Sequence, residues 1–181
     1  MTEYLSEHFS VPEFEYSEVA QAYNIPNKMN TAEKAVAKHT AQYLLENIRK
    51  QLNIKYASDT VKCVTIRITS GFRGPLLNQK VGGASNSQHC KAMACDIEAT
   101  IVYKNGTRKI IPYNQLYEDI KALTKQKKLY IDQCIQEASY NSKTKTWAYW
   151  VHVSLPMQIR DCRYQFLKYC NKKYTLDCVL K

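Results

Sequence analysis

The sequence predicts a single α+β domain, with helices and strands in separate stretches. Three observations carry that expectation. Apolar residues recur at helical spacing at Ala35, Val36, Tyr43, Leu44, Ile48 and Leu52, behind a capping Thr31. Val64, Ile66 and Ile68 alternate with Thr65, Arg67 and Thr69, the mark of a strand with one buried face. Two more apolar runs, 129–138 and 147–154, flank the turn-rich stretch 141–145 and read as a hairpin. A length of 181 residues suits one domain with a real core.

Each element has a local reason. Residues 1–30 read as irregular with short helical pieces. Ser10 is an N-cap followed by Pro12 and Glu13, a capping box that Phe9 and Phe14 would staple. Asn24-Ile25-Pro26-Asn27 breaks the chain before the long helix. The strand at 61–69 ends in a turn at 70–75, and 76–84, with Gly82-Gly83, reads as a loop. A strand over 93–102 leads to Asn105-Gly106, the strongest turn signal in the chain. A second helix over 113–128 shows Leu116, Ile120 and Leu123 on one face and closes on a basic run, as a helix C-terminus favours. The tail, 156–181, is basic and tyrosine-rich, and Leu167 is expected on a final short helix.

A net charge of +10 implies attraction to a polyanion or a solvated basic surface, and does not choose between them. No helix-turn-helix, zinc-finger or RNA-binding signature supports nucleic acid as that partner. No apolar run reaches the length of a membrane span. No basic segment followed by an apolar run opens the sequence, so synthesis without a signal peptide in a reducing cytoplasm is expected. Seven cysteines cannot all pair within the chain, and they read as mostly free, buried thiols.

The chemistry concentrates in Ser87-Gln88-His89-Cys90-Lys91-Ala92-Met93-Ala94-Cys95-Asp96 and in Trp150-Val151-His152. Two imidazoles and one carboxylate with no fourth protein ligand are what a single catalytic zinc ion requires. His89 is expected at the end of a loop, because its seven-residue step from Asp96 does not fit one face of a strand. If the hairpin centres between Lys143 and Thr144, Glu137 falls opposite Trp150 and shares a face with His152. A slip of one residue would turn Glu137 away. His8 and His39 lack partner ligands and read as packing or surface residues.

These pieces resemble the zinc D-alanyl-D-alanine carboxypeptidase family, in the branch often carried by bacteriophages. The resemblance rests on Leu5-Ser6-Glu7-His8-Phe9-Ser10, Ile68-Thr69-Ser70-Gly71-Phe72-Arg73, Leu77-Asn78 with Val81-Gly82-Gly83-Ala84, Ser87-Gln88-His89, Ala94-Cys95-Asp96-Ile97, Asp132 to Glu137, and Trp150 to Ser154, in that order. It implies helices packed on a mostly antiparallel sheet that carries the metal, with zinc held by His89, Asp96 and His152. It implies hydrolysis of peptidoglycan stem peptides, as a carboxypeptidase or an endopeptidase, by a phage-released or virion-associated enzyme. Glu137 matches the glutamate that serves as base, and Arg73 the arginine that faces the substrate. Ser87, Gln88 and Trp150 are expected to line the substrate site or orient its ligand.

Two positions depart from the pattern. Ala92 stands where the family motif has glycine, which costs stability if that backbone needs a positive φ. Tyr149 stands three residues before the last histidine, where many relatives carry a carboxylate. A non-catalytic alternative remains at this stage: a zinc-containing cell-wall-binding or virion structural protein, as Hedgehog signalling domains use such a site for binding.

Overall fold

The computed structural model describes residues 2–142, 144–170 and 173–180. Its centre is a seven-stranded sheet: β1 (Val61–Ser70), β2 (Ala94–Tyr103), β3 (Arg108–Ile110), β4 (Gln133–Asn141), β5 (Thr146–Ser154), β6 (Gln165–Cys170) and β7 (Lys173–Val179). The strands run in the order β1-β2-β5-β4-β6-β7, with β3 pairing beside β2. Only the β4–β6 pairing is parallel. The fold is α+β with a mostly antiparallel sheet, as expected.

Alternation sorts the side chains of each strand onto two faces. One face carries Val64, Ile66, Ile68, Cys95, Ile97, Ala99, Val151, Val153, Cys134 and Phe166, all buried. Four helices bear on this side or its edges: α1 (Val11–Glu15), α3 (Thr31–Thr40), α4 (Glu46–Lys55) and α6 (Tyr113–Lys125). Leu44, Leu45, Ile48, Leu52, Leu116 and Ile120 fill the space between helices and sheet. The shorter α2 (Glu18–Ala22) and α5 (Pro75–Lys80) lie in the connections. The opposite face of the sheet is left open, and the polar residues point there.

The long helix has a cap one residue earlier than expected. Asn30, not Thr31, accepts from the Glu33 amide at 2.9 Å, and Glu33 returns a bond from the Asn30 amide at 2.8 Å. Thr31 has lysine three residues on, so it cannot close that reciprocal pair. The helix is interrupted by a π-turn, Ala41–Leu45, between α3 and α4. Just before it, Thr40 donates to the carbonyl of Ala92 at 2.8 Å in the buried interior. Around Ser10, Glu13 accepts from both the amide and the hydroxyl at 2.8 Å, and Phe9 and Phe14 are fully buried.

Three other expectations are corrected. The stretch read as a loop opens with the helix α5, with Pro75 in its first turn, where proline's missing N–H costs nothing. β4 starts at Gln133 rather than at 129. The tail forms β6 and β7 instead of a helix: Phe166 alternates with Leu167 across the sheet and completes the core beneath α6. The hairpin register is as expected, with Glu137 opposite Trp150 and Tyr140 opposite Trp147. Lys143, beside its centre, lies outside the described residues. No helix among the described residues is long and apolar enough to cross a membrane. All seven cysteines are free thiols, with Cys95 and Cys134 buried on the helix side.

Gly71 marks the closest approach of α1 to the sheet. A Cβ there would stand 2.6 Å from the Phe14 carbonyl oxygen, which also accepts from the Phe72 amide at 2.7 Å. Backbone on both sides leaves no flexible side chain to yield. Gly71→Ala is therefore expected to destabilise the protein by about 1–3 kcal/mol, read as a lower urea midpoint at unchanged slope.

Ala92 adopts φ 54° and ψ 21°, the left-handed region. Glycine there would relieve about 1 kcal/mol of strain but forfeit a buried methyl worth about 0.8 kcal/mol. Ala92→Gly is expected to leave stability within about 1 kcal/mol of the parent. Ala92→Val, β-branched at positive φ in a fully buried position, should cost several times more. Thermal melts of the two variants test the comparison.

Candidate metal centre

Two candidate ligands come from adjacent strands. Asp96 on β2 lies directly opposite His152 on β5, and both point to the open face. The third comes from a short 3-10 turn, Gln88–Lys91, that brings His89 over the end of β2. His89 Nε2 is 3.1 Å from His152 Nδ1 and 3.3 Å from Asp96 Oδ1, and His152 Nδ1 is 3.1 Å from the same oxygen. All three residues are buried.

The triangle fits a metal on chemical grounds. Two ligands about 2.0–2.1 Å from a tetrahedral zinc stand roughly 3.3 Å apart, which matches the three edges. The His89 Nδ1–H donates to the Gly71 carbonyl at 2.7 Å, which leaves Nε2 as a bare lone pair facing the other two ligands. The second carboxylate oxygen of Asp96 accepts from Arg73 Nη2 at 2.6 Å, and Arg73 Nε donates to Ser70 Oγ at 2.9 Å. Burial raises the Asp96 carboxyl, but the charge and hydrogen bonds of His89 and His152 hold it well below the usual carboxylate range. Two imidazoles and one ionised carboxylate, with His89 and Asp96 oriented from behind, can hold one divalent ion.

The His89 loop is tied down from several sides. The Arg73 amide donates to the His89 carbonyl at 3.2 Å, as does the Ala92 amide at 3.1 Å. The left-handed Ala92 turns the chain from the 3-10 turn into β2, and Thr40 fixes its carbonyl. His39 reaches across to the carbonyl of Pro156, just beyond β5. His39 and His8 stay out of the cluster; His8 pairs with Glu46.

The triangle sits in a cleft of about 1180 Å³ that Ser70, Arg73, Ser87, Gln88, Glu137 and Trp150 help to line. Glu137 and Trp150 share the metal-bearing face, on neighbouring strands. Burial and the nearby Asp96 charge push the Glu137 carboxyl up to about 7, against the pull of His152, Arg73 and a Trp150 hydrogen bond. Tyr149 points to the other side of the sheet, where it stacks on Tyr113 at 4.5 Å. Trp147 is on that side too, near Tyr149 and Tyr140, and is not a lining residue of the cleft.

The sequence reading missed two contributions. The tail, in which it found no chemistry, supplies Leu167, Tyr169 and Tyr174 to the cleft wall. Gln88 is bound to Asp132 at 2.8 Å, and Asp132 in turn to Arg163, which also lines the cleft. Asp132 stands in the Asp132 to Glu137 motif, so a signal existed for it. Nothing in the basic tail distinguished Arg163 from its neighbours.

The family model described as Peptidase M15 matches residues 12–132. The match includes Arg73, His89 and Asp96 and ends one residue before β4. No curated protein matches the chain. A match over about two thirds of the sequence, together with a His-Asp-His cluster that could hold a metal, places this chain in the Peptidase M15 family of zinc-dependent metallopeptidases, the D-alanyl-D-alanine carboxypeptidase family.

Proposed function

We propose that the chain is a zinc peptidase that cleaves stem-peptide bonds of peptidoglycan, with Glu137 as general base. The observation that carries this reading is the place of Glu137. Its carboxyl is in the cleft, on the face that carries the ligand triangle, and in the metal-free chain burial raises it to about 7. A base works best when its pKa lies near the working pH.

His89, Asp96 and His152 would hold one zinc ion. When bound, zinc supplies Lewis acidity for the scissile carbonyl and brings a water's pKa toward neutrality. Glu137 takes the proton of the attacking water and hands it to the leaving amine. Arg73 spends Nε and Nη2 on Ser70 and Asp96. Its Nη1 has no acceptor among the described residues and is the donor offered to the developing oxyanion. Trp150 flanks Glu137 and offers a flat apolar wall to the peptide. Ser87 borders the His89 turn, and Gln88 acts through the Asp132 pair.

The peptidoglycan substrate and a phage-associated setting rest on the sequence resemblance. The net charge of +10 suits an anionic cell-wall polymer. A base carboxylate in the cleft favours an enzyme over a binding module, which has no use for one.

Glu137→Gln is expected to keep one zinc per chain and to lose at least about 100-fold in kcat. Zinc analysis and release of soluble peptide from purified peptidoglycan would check this. A binding module would show no turnover in either protein.

Metal-free protein gives a second test. Glu137's carboxyl is raised in the folded chain from an ordinary 4.5 to about 7. The folded state therefore holds the extra proton between those values, and the contribution to stability is lost as pH rises through about 7. Chelator-treated wild-type protein should lose melting temperature relative to chelator-treated Glu137→Gln between pH 5 and pH 8. Parallel curves would contradict the burial of this carboxyl.

A further inference from the structure

Arg163 lies in the connection between β5 and β6, outside the family match. Its guanidinium is held in a fork by one buried carboxylate. Nε donates to Asp132 Oδ1 at 2.9 Å and Nη2 to Oδ2 at 2.6 Å, and the Arg163 amide adds a bond to Oδ1 at 2.9 Å. The Asp132 side chain is 4% exposed, whereas that of Arg163 is 48% exposed. Gln88 closes the group: its amide donates to Asp132 Oδ2 at 2.8 Å, and its oxygen accepts from Arg163 Nη2 at 3.4 Å. Burial opposes ionisation of Asp132, but the Arg163 and Gln88 bonds hold its carboxyl below the usual range.

This arrangement fixes the plane of the guanidinium and leaves one edge free. Nη1 has no acceptor among the described residues, and Arg163 lines the metal cleft. A guanidinium oriented from behind loses little freedom when it binds a second carboxylate in front. The Asp132 amide donates to the Ser154 carbonyl at 2.8 Å, two residues along β5 from His152. At about 3.4 Å per residue that backbone pair lies roughly 7 Å along β5 from the ligand, and the half-exposed Arg163 guanidinium shares the cleft with it.

We propose that Arg163, set by Asp132 and Gln88, is a substrate-recognition residue that anchors a free carboxylate of the peptide held in the metal cleft. The proposal rests on the peptidase reading and narrows its substrate class to peptides with an ionised carboxyl. Arg73, whose fork is turned to a metal ligand, is left for the reacting carbonyl.

The test compares three versions of one stem peptide on the zinc-loaded protein: the free acid, its C-terminal amide, and the free acid with side-chain carboxyls amidated. Wild-type protein should favour one carboxylate over its amide by about 10- to 100-fold in kcat/KM. Which amide suffers tells a terminal carboxylate from a side-chain one. In Arg163→Gln that ratio should collapse towards one, and Arg163→Lys should restore part of it. An unchanged ratio in Arg163→Gln, whatever the fall in absolute rate, overturns the proposal and leaves Arg163 as a clamp on the loop. If Arg163→Gln does not fold, Arg163→Lys decides: it keeps the charge but loses the fork, so its ratio must fall.

If wild-type protein cleaves none of the three, it is the peptidase reading that fails. The same peptides titrated calorimetrically into zinc-loaded wild type and variants then judge Arg163 by itself. Affinity that depends on the carboxylate and is lost in the variants supports the anchor. Affinity indifferent to the carboxylate, or no binding at all, overturns it.

Discussion

The register between β2 and β5 is the constraint on which the site depends. Asp96 is the direct cross-strand partner of His152, so both ligands leave the same face of the sheet with their tips in contact. That register is not set by the polar pair. On the reverse face the same strands bury Cys95, Ile97, Val151 and Val153 against the helices. A slip of β5 by one residue would send Val151 and Val153 into the cleft and His152 into the core. At roughly 1.5–3 kcal/mol for each large apolar side chain, helix-side packing outweighs anything a metal-free polar pair contributes. The core thus aligns the ligands before any ion is bound.

A second consequence is the contrast between the carboxylates in and beside the cleft. Asp96 and Asp132 each face a guanidinium squarely, and both stay ionised although buried. Glu98, at the rim, pairs with Arg67 at 2.7 Å. Glu137 has no such partner: Arg73 and His152 pull on it only from a distance, while burial and Asp96 push the other way. The pairing pattern leaves one carboxyl with a pKa near neutrality and commits the others to structure. Paired and unpaired environments thus push carboxyl pKa values apart.

Much of this was legible in the chain. The step of seven between His89 and Asp96 forbade one strand face for both, and the structure resolves it with a 3-10 turn and a left-handed Ala92. The 141–145 turn fixed the hairpin well enough to put Glu137 opposite Trp150. The cap of the long helix was off by one because Asn and Thr both cap, and only the glutamate three residues on decides. The fate of the tail was hidden for another reason. β6 joins β4 in parallel, and a parallel partner needs no turn signal between the two segments. Without it, Phe166, Leu167 and their neighbours carry too short a pattern to separate strand from helix. Arg163 was invisible because its role is created by a buried aspartate 31 residues earlier in the chain.

The position of Glu137 follows from strand parity. Tyr149 is three residues before His152, and three is an odd step, so on an unbroken strand it faces the helices. A carboxylate there would stand beside Tyr113 on the wrong side of the sheet. The carboxylate on the open face comes instead from the next strand, as Glu137 of β4. Because β4 and β5 extend past the cleft to Asn141 and Thr146, their pairing is long and its register is well determined. β6 then pairs along β4 from Gln133 to Glu137, with Tyr169 beside Glu137. That pairing covers Glu137 on the side away from His152, and burial raises its carboxyl. The tail and the long hairpin, both beyond the family match, thus act together on one residue.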